Sequence, residues 1–329
     1  IRPKLDSAKS YQAQNNLLEA RRILFETMSA LSSSNVPESE KIDQIEQEVG
    51  TLLDQIDKAV ESSPNLFYQI SQEAGQSSLV SYVKGRILVF SANAENTGGA
   101  IMEVAEDGVK RTTTVKDFNP LYILGGEKLF VMINNVVDQI GSLLIKGTDV
   151  KTSPLTFEKP AISMYSYQDN LYVLTSDNIY RVADAASGKS TPTVWLNKDV
   201  NLPANPLLIA ADGNLYVINS NGILTKYYKG DKVSEVNTSI PVNKDDILLT
   251  TKNATSLYLI DKAMNRIYIV SKDSGALIKT LKISGDPVII SGSMADDETL
   301  PDAVKMVHRF YREARDNTET WREEARENY

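Results

Sequence analysis

One apolar triplet, returning at nearly constant intervals, restricts what this chain can fold into more than any other feature. It occurs as Ile87-Leu88-Val89, Leu129-Phe130-Val131, Leu171-Tyr172-Val173, Leu215-Tyr216-Val217 and Leu257-Tyr258-Leu259, with steps of 42, 42, 44 and 42 residues. Self-similarity at a fixed period marks a repeat architecture, in which each unit buries its apolar faces against its neighbours. Each triplet follows a short apolar run and a turn signal: Leu79 to Val83 then Lys84-Gly85, Leu121 to Leu124 then Gly125-Gly126, and Ile162 to Tyr165 then Asp169-Asn170. The fourth and fifth copies read Leu207 to Ala210 then Asp212-Gly213, and Ile247 to Thr250 then Asn253-Ala254. A third strand trails the triplet at Ile179-Tyr180, Ile223-Leu224 and Ile267-Tyr268. A fourth follows, as at Thr193 to Leu196 and Leu277 to Ile283, across turns at Ser187-Gly188, Gly230-Asp231 and Ser274-Gly275.

Four antiparallel strands every 42 to 44 residues is the size of a β-propeller blade, and a β-sandwich imposes no such constant period. The triplet is apolar on both strand faces, as expected of an inner strand clamped between two neighbouring blades. The copies resemble the divergent propellers of the NHL, WD40 and quinoprotein-like superfamily. Pro64-Asn65-Leu66-Phe67-Tyr68, with repeats built on Asn-Leu-Tyr-Val at Asn170 to Val173 and Asn214 to Val217, is similar to extracytoplasmic propellers of bacterial membrane proteins. In some of those, a helical stalk links the propeller to a transmembrane segment with a phosphatase-like domain on its cytoplasmic side. The resemblance spans roughly Ile1 to Ile290 and its motifs are structural. It implies a location on the extracytoplasmic face of a bacterial membrane, with membrane contact only through a segment absent from this chain.

Closure of a propeller commonly borrows a strand from the opposite chain end, and Leu66 to Ile70, just before the first repeat, is the closing candidate. Pro287 to Ile290 would open a sixth blade, whose triplet should begin near Leu300, but Pro301 stands there and the strand pattern stops. The expected fold is therefore mainly β: a propeller with five clear repeats, six-bladed or incompletely so, over residues 64–293. An α-helical hairpin precedes it over 1–63 and a helical tail follows over 294–329.

In the hairpin, Leu17, Leu24 and Leu31 lie seven apart, with Ala13, Ala20, Ile23 and Met28 widening one stripe of a helix from Leu5 to Leu31. Ser32 to Asn35 end it, and Pro37, Glu38 and Glu40 start a second helix. Its Ile42, Ile45, Val49, Leu52, Ile56 and Ala59 alternate steps of three and four, a coiled-coil seam. Two readings stand: a stalk that forms a homodimer, or two helices that satisfy each other or the next domain. In the tail, Ser291-Gly292-Ser293 before Met294-Ala295 reads as a fusion joint. The rhythm Phe310 to Ala314 and Trp321 to Ala325 resembles the first helix of phage portal proteins. The other reading is a native terminal helix over an open propeller edge. The chain opens at Ile1 rather than Met, which suggests an excised fragment.

Composition narrows the chemistry. There is no Cys and a single His308, which removes disulfides, thiolate nucleophiles, Cys- or His-rich metal sites and most His-assisted triads. Lys and Arg total 35 against 43 Asp and Glu, so the net charge of -8 repels a phosphate backbone and nucleic acid is not expected as a partner. No apolar run approaches the roughly 20 residues needed to span a bilayer. Ala183 to Gly188 with Trp195 is a poor match to quinoprotein turns, and Ser271-x-Asp273-x-Gly275 resembles a sialidase-type Asp box without its Arg cluster. Asp245-Asp246 reads as solvated loop charges, since adjacent strand residues point to opposite faces. Gly98-Gly99 and Gly125-Gly126 are turns, because no phosphate-loop Lys and Ser/Thr follow.

No catalytic, metal or cofactor-binding residue is assigned, and no cofactor is expected. Among 15 Tyr residues, those in the triplets belong to blade packing, whereas Tyr165, Tyr167, Tyr227 and Tyr228 are less constrained and form the candidate binding residues. The expected function is a non-enzymatic protein-interaction or sensor module, with a protein or glycan partner. The alternatives are a propeller enzyme with an axial site for glycan or quinone chemistry, or a fusion carrying a portal segment as a structural piece.

Overall fold

A computed structural model describes residues 2–33, 40–62 and, with short breaks at turns, 76–283. The β-rich part is a succession of antiparallel sheets, each built from consecutive strands. The first comprises β2 (Gln76–Val83), β3 (Arg86–Ala92), β4 (Gly98–Ala105) and β5 (Gly108–Lys116). The second runs through β6 (Pro120–Gly125), β7 (Leu129–Ile133) and β8 (Gln139–Lys146), with β9 (Asp149–Lys151) and β10 (Pro154–Thr156) both pairing with β8. The third holds β11 (Ser163–Tyr167), β12 (Asn170–Leu174), β13 (Ile179–Val182) and β14 (Thr193–Val194). The fourth holds β15 (Pro206–Ala211), β16 (Leu215–Asn219), β17 (Ile223–Tyr228) and β18 (Asp231–Asn237). The fifth holds β19 (Ile247–Leu249), β20 (Ser256–Asp261), β21 (Arg266–Ser271) and β22 (Leu277–Ile283).

The opening strands β2, β6, β11, β15 and β19 lie beside one another in chain order, which is the inner row of a propeller. Every triplet falls on the second strand of its sheet. Leu171 and Val173 are fully buried and all five residues of β16 are buried, because both faces of that strand meet neighbouring sheets. One core runs through the third, fourth and fifth sheets and into the helices; a smaller cluster of Leu155, Phe157, Met164, Leu171, Val173, Tyr180 and Val182 joins the second sheet to the third.

The helical part has three elements rather than two: α1 (Arg2–Ala13), α2 (Leu17–Ser33) and α3 (Glu40–Asp57). The continuous helix expected from Leu5 to Leu31 breaks because Asn15 adopts a left-handed φ of 58°. Asn, with its short side chain, tolerates that conformation better than most residues. Asn16 then caps α2, its Oδ1 accepting the backbone N–H of Glu19 at 3.3 Å. Leu24, Leu31, Val49, Leu52, Leu53 and Ile56 of the two longer helices are buried within the chain itself. After α3, β1 (Val60–Ser62) adds to the outer edge of the fifth sheet, pairing in parallel with β22 as Val60 to Leu281, Glu61 to Lys282 and Ser62 to Ile283. The expected closing strand Leu66 to Ile70, Pro287 to Ile290, His308 and the tail 294–329 lie outside the described residues.

Candidate functional site

Two buried polar centres and one exposed hairpin tip stand out among the described residues. The first centre joins the helical arm to the fifth sheet. In that sheet, cross-strand register pairs Asp261 with Arg266, Arg266 with Lys282, and Tyr268 with Thr280, so these five residues share one face. The helices lie on that face. Nη2 of Arg266 donates to the carbonyl of Gly50 at 3.1 Å and to Asp54 Oδ1, and Lys282 Nζ donates to Asp54 Oδ2 at 2.8 Å. From α2, Arg21 Nε donates to Asp57 Oδ1 at 2.7 Å, while Asp57 Oδ2 stands 3.8 Å from Arg266 Nη1. The Phe25 and Tyr268 rings meet at 6.2 Å between centroids. Burial pushes the Asp57 carboxyl above the ordinary aspartate range, although Arg21 and Arg266 pull the other way. Burial, reinforced by the charge of Asp261, also pushes the Tyr268 hydroxyl well up, so it stays protonated.

The second centre locks the fourth sheet to the fifth. Lys272 is buried, and its ammonium donates to Asp212 Oδ2, to the carbonyl of Thr251 at 2.9 Å and to that of Ala254 at 2.6 Å, which uses all three of its hydrogens. Tyr216 donates to the same Asp212 oxygen at 3.2 Å, and its ring lies 5.6 Å from Lys272 Nζ. Burial, followed by the Asp212 charge, pushes the Tyr216 hydroxyl up and keeps it a donor.

The four tyrosines singled out by sequence are not equivalent. Tyr165 is buried; its hydroxyl donates to the carbonyl of Thr250 at 2.7 Å and accepts the Thr250 N–H at 3.3 Å, stitching the third sheet to the fifth. Tyr227 is fully buried, with its hydroxyl on the carbonyl of Asn201 at 3.0 Å. Both rings are packed inside the fold, so of the four candidates Tyr228 is the exposed one: the strand alternation that exposes Tyr228 turns Tyr227 inward. Tyr167 is partly buried beside the Asp212-Gly213 turn. Tyr228 is 48% exposed at the β17–β18 hairpin, with Lys229 Nζ 5.2 Å from its ring centroid.

That hairpin tip is held from the third sheet. Asn197 donates its backbone N–H to the Gly230 carbonyl at 3.0 Å, and its side-chain amide to the Lys229 carbonyl at 3.2 Å and to Asp231 Oδ1 at 2.8 Å. Gly230 has a φ of +90°, and a Cβ there would lie 2.7 Å from the Trp195 carbonyl oxygen. Trp195 in turn sits edge-on against Tyr172 at 6.0 Å. Val233, exposed on β18, follows the tip along the chain.

Two sequence motifs resolve into structure. Asp246 is buried rather than solvated, because its Oδ2 accepts the Asn243 N–H at 2.7 Å and closes a turn. Ser271-x-Asp273-x-Gly275 is a hairpin turn, with Gly275 N–H on the Ser271 carbonyl at 3.0 Å and Asp273 paired to Lys226 at 3.1 Å. No group of three or more potential metal-ligating side chains occurs among the described residues, and no described helix is long and apolar enough to cross a membrane.

No protein-family model matches the sequence, and no curated protein matches it. Among solved structures, the chain is similar to one from the nidogen/laminin complex, at 12% identity over 66% of this chain and 82% of that one, with a TM-score of 0.47. It is similar also to the β-propeller domain of Cps50 (Swd1) from Myceliophteria thermophila, at 12% identity over 63% and 68%, TM-score 0.44. Hsv2 of Kluyveromyces lactis gives 10% identity over 63% of each chain, TM-score 0.43. The fold class follows from this chain's own repeat and strand order: it is a β-propeller protein with an amino-terminal helical arm.

Proposed function

We propose that the chain is a non-enzymatic protein-interaction or sensor module that presents the β17–β18 tip to a partner. The observation that carries this reading is the pinning of that tip: Asn197 bonds the Lys229 and Gly230 carbonyls and the Asp231 carboxylate while Tyr228 remains half exposed. A tip fixed before contact loses little conformational freedom on binding, and an exposed Tyr brings apolar area together with a hydroxyl. Exposed Val233 lies two residues past the tip on β18, and Lys229 adds a cation beside the ring. The ion pairs of the two buried centres join sheets and arm. The resemblance noted in the sequence supports an extracytoplasmic setting on a bacterial membrane.

The test is site-specific photo-crosslinking in the source cell, with the reactive residue at Tyr228 and, as a control, at exposed Ile278 on β22. The expected result is one discrete adduct from Tyr228 and none from Ile278; Tyr228→Ala should weaken a purified partner's binding while moving folding stability by less than about 0.5 kcal/mol. Equal labelling at both positions contradicts the reading. Stoichiometric binding and turnover of a sugar or quinone would favour the enzyme alternative.

A further inference from the structure

The face between arm and fifth sheet holds more hydrogen-bonding capacity than the described residues satisfy. Arg266 is 1% exposed, yet its Nε and Nη1 have no hydrogen-bond partner among the described residues; nor do Asp57 Oδ2, the Tyr268 hydroxyl or the Thr280 hydroxyl. Arg266, Tyr268 and Thr280 share one sheet face by register, and Asp57 Oδ2 reaches to 3.8 Å from Arg266 Nη1, so these groups border one another rather than being scattered. The Tyr268 hydroxyl lies within the electrostatic reach of Asp261, Arg266, Asp57 and Arg21 together. Five buried polar atoms left unpaired in one place would cost several times the usual penalty for a single one, and proteins meet such a deficit with internal solvent.

We propose that this junction is a binding site for internal water, which bridges Arg266, Tyr268 and Asp57 and completes the docking of the arm. Charge decides between water and an anion. The groups around the site are Arg21, Arg266 and Lys282 against Asp54, Asp57 and Asp261, three of each sign. A neutral molecule preserves that balance, and an anion would face the Asp57 and Asp261 carboxylates. The site also needs both hydrogen-bonding senses at once: Arg266 offers only donors, Asp57 Oδ2 only accepts, and the two hydroxyls do either. Water matches that mixture. The arm is then fixed by a hydrated joint, whereas the Lys272 ammonium already has three protein acceptors.

The deciding experiment is a high-resolution crystal structure of the full chain, with a parallel bromide soak. Expected is ordered water at roughly 2.7–3.2 Å from Arg266 Nε or Nη1 and from the Tyr268 hydroxyl or Asp57 Oδ2, with no anomalous bromide peak there. A bromide peak, an empty apolar void, or a side chain from residues 284–329 seated in the site would each overturn the proposal. Tyr268→Phe gives a second readout in solution. Removing a hydrated hydroxyl lowers the denaturation midpoint, whereas removing an unpaired one raises it, and a raised midpoint contradicts a bound water.

Discussion

The two buried charged centres of this protein solve the same problem differently. At the fourth and fifth sheets, Lys272 meets a carboxylate and two carbonyls, so its charge and every hydrogen are matched. At the arm, Arg266 shares Asp54 and Asp57 with Arg21 and Lys282 and still leaves two of its nitrogens unpaired among the described residues. The contrast follows from what each centre joins. Lys272 and its partners sit on tight turns whose carbonyls cannot move far, so one ammonium can be surrounded by backbone. The arm meets the sheet through side chains from separate helices as well as the β1–β22 pairing, and a guanidinium presents five N–H donors in a fixed fork that all need acceptors. At the repeat interface two backbone carbonyls and one carboxylate surround the ammonium, whereas at the arm carboxylate side chains meet the cations beside the backbone pairing of β1 with β22.

The largest effect that would sharpen this comparison is expected at the closed centre. Lys272→Met strands the buried Asp212 carboxylate and should cost about 3–5 kcal/mol in chemical denaturation; a loss well below that would show that the Lys272–Asp212 pair does not close this interface. Next comes the pinned tip. Gly230→Ala forces an L side chain into a left-handed conformation and into the Trp195 carbonyl, so a loss of at least about 1–2 kcal/mol is expected, and an unchanged melting temperature would break the claim that the third sheet fixes that hairpin.

The arm gives a smaller effect whose sign is informative. Because the folded protein holds Asp57 above its ordinary value, protonation favours the folded state. This contribution is complete below the unfolded-state titration and is lost as pH rises through the folded one. Relative to Asp57→Asn, the wild-type protein should therefore gain stability as pH falls through the mildly acidic range. Measured against pH by denaturant titration, a relative loss on acidification would show that the Arg21 ion pair outweighs desolvation.

Most of the propeller was legible because the repeat acts on backbone hydrogen bonding and apolar burial, which sequence periodicity reports directly. The triplets fall on the second strand of each sheet, the third strands hold Ile179-Tyr180, Ile223-Leu224 and Ile267-Tyr268, and the fourth strand Leu277–Ile283 stands at its expected position. The break at Asn15-Asn16 was obscured because the apolar stripe continues across it. The candidate binding residues were only partly legible: Tyr227 and Tyr228 are adjacent in sequence, and only strand pairing distinguishes the buried ring from the exposed one. The charged centres were missed for another reason. Asp54 and Asp57 are one helical turn apart beside Leu53 and Ile56, and Arg266 opens a strand, so each looks like an ordinary surface charge until the fold brings segments more than 200 residues apart together. The signal was the alternation in β21, where Arg266 and Tyr268 occupy one face and Ile267 and Ile269 the other.

The central claim, that the arm docks on the fifth sheet of its own chain, is open to one direct measurement because the protein has no native Cys. Asp54→Cys and Lys282→Cys place one thiol on α3 and one on β22, at side chains that touch across the junction. Treatment of the dilute protein with a short bismaleimide should yield a crosslinked monomer, seen by peptide mass analysis as one linkage between the two segments. Crosslinked dimer in its place, or two thiols that never join, would contradict the account.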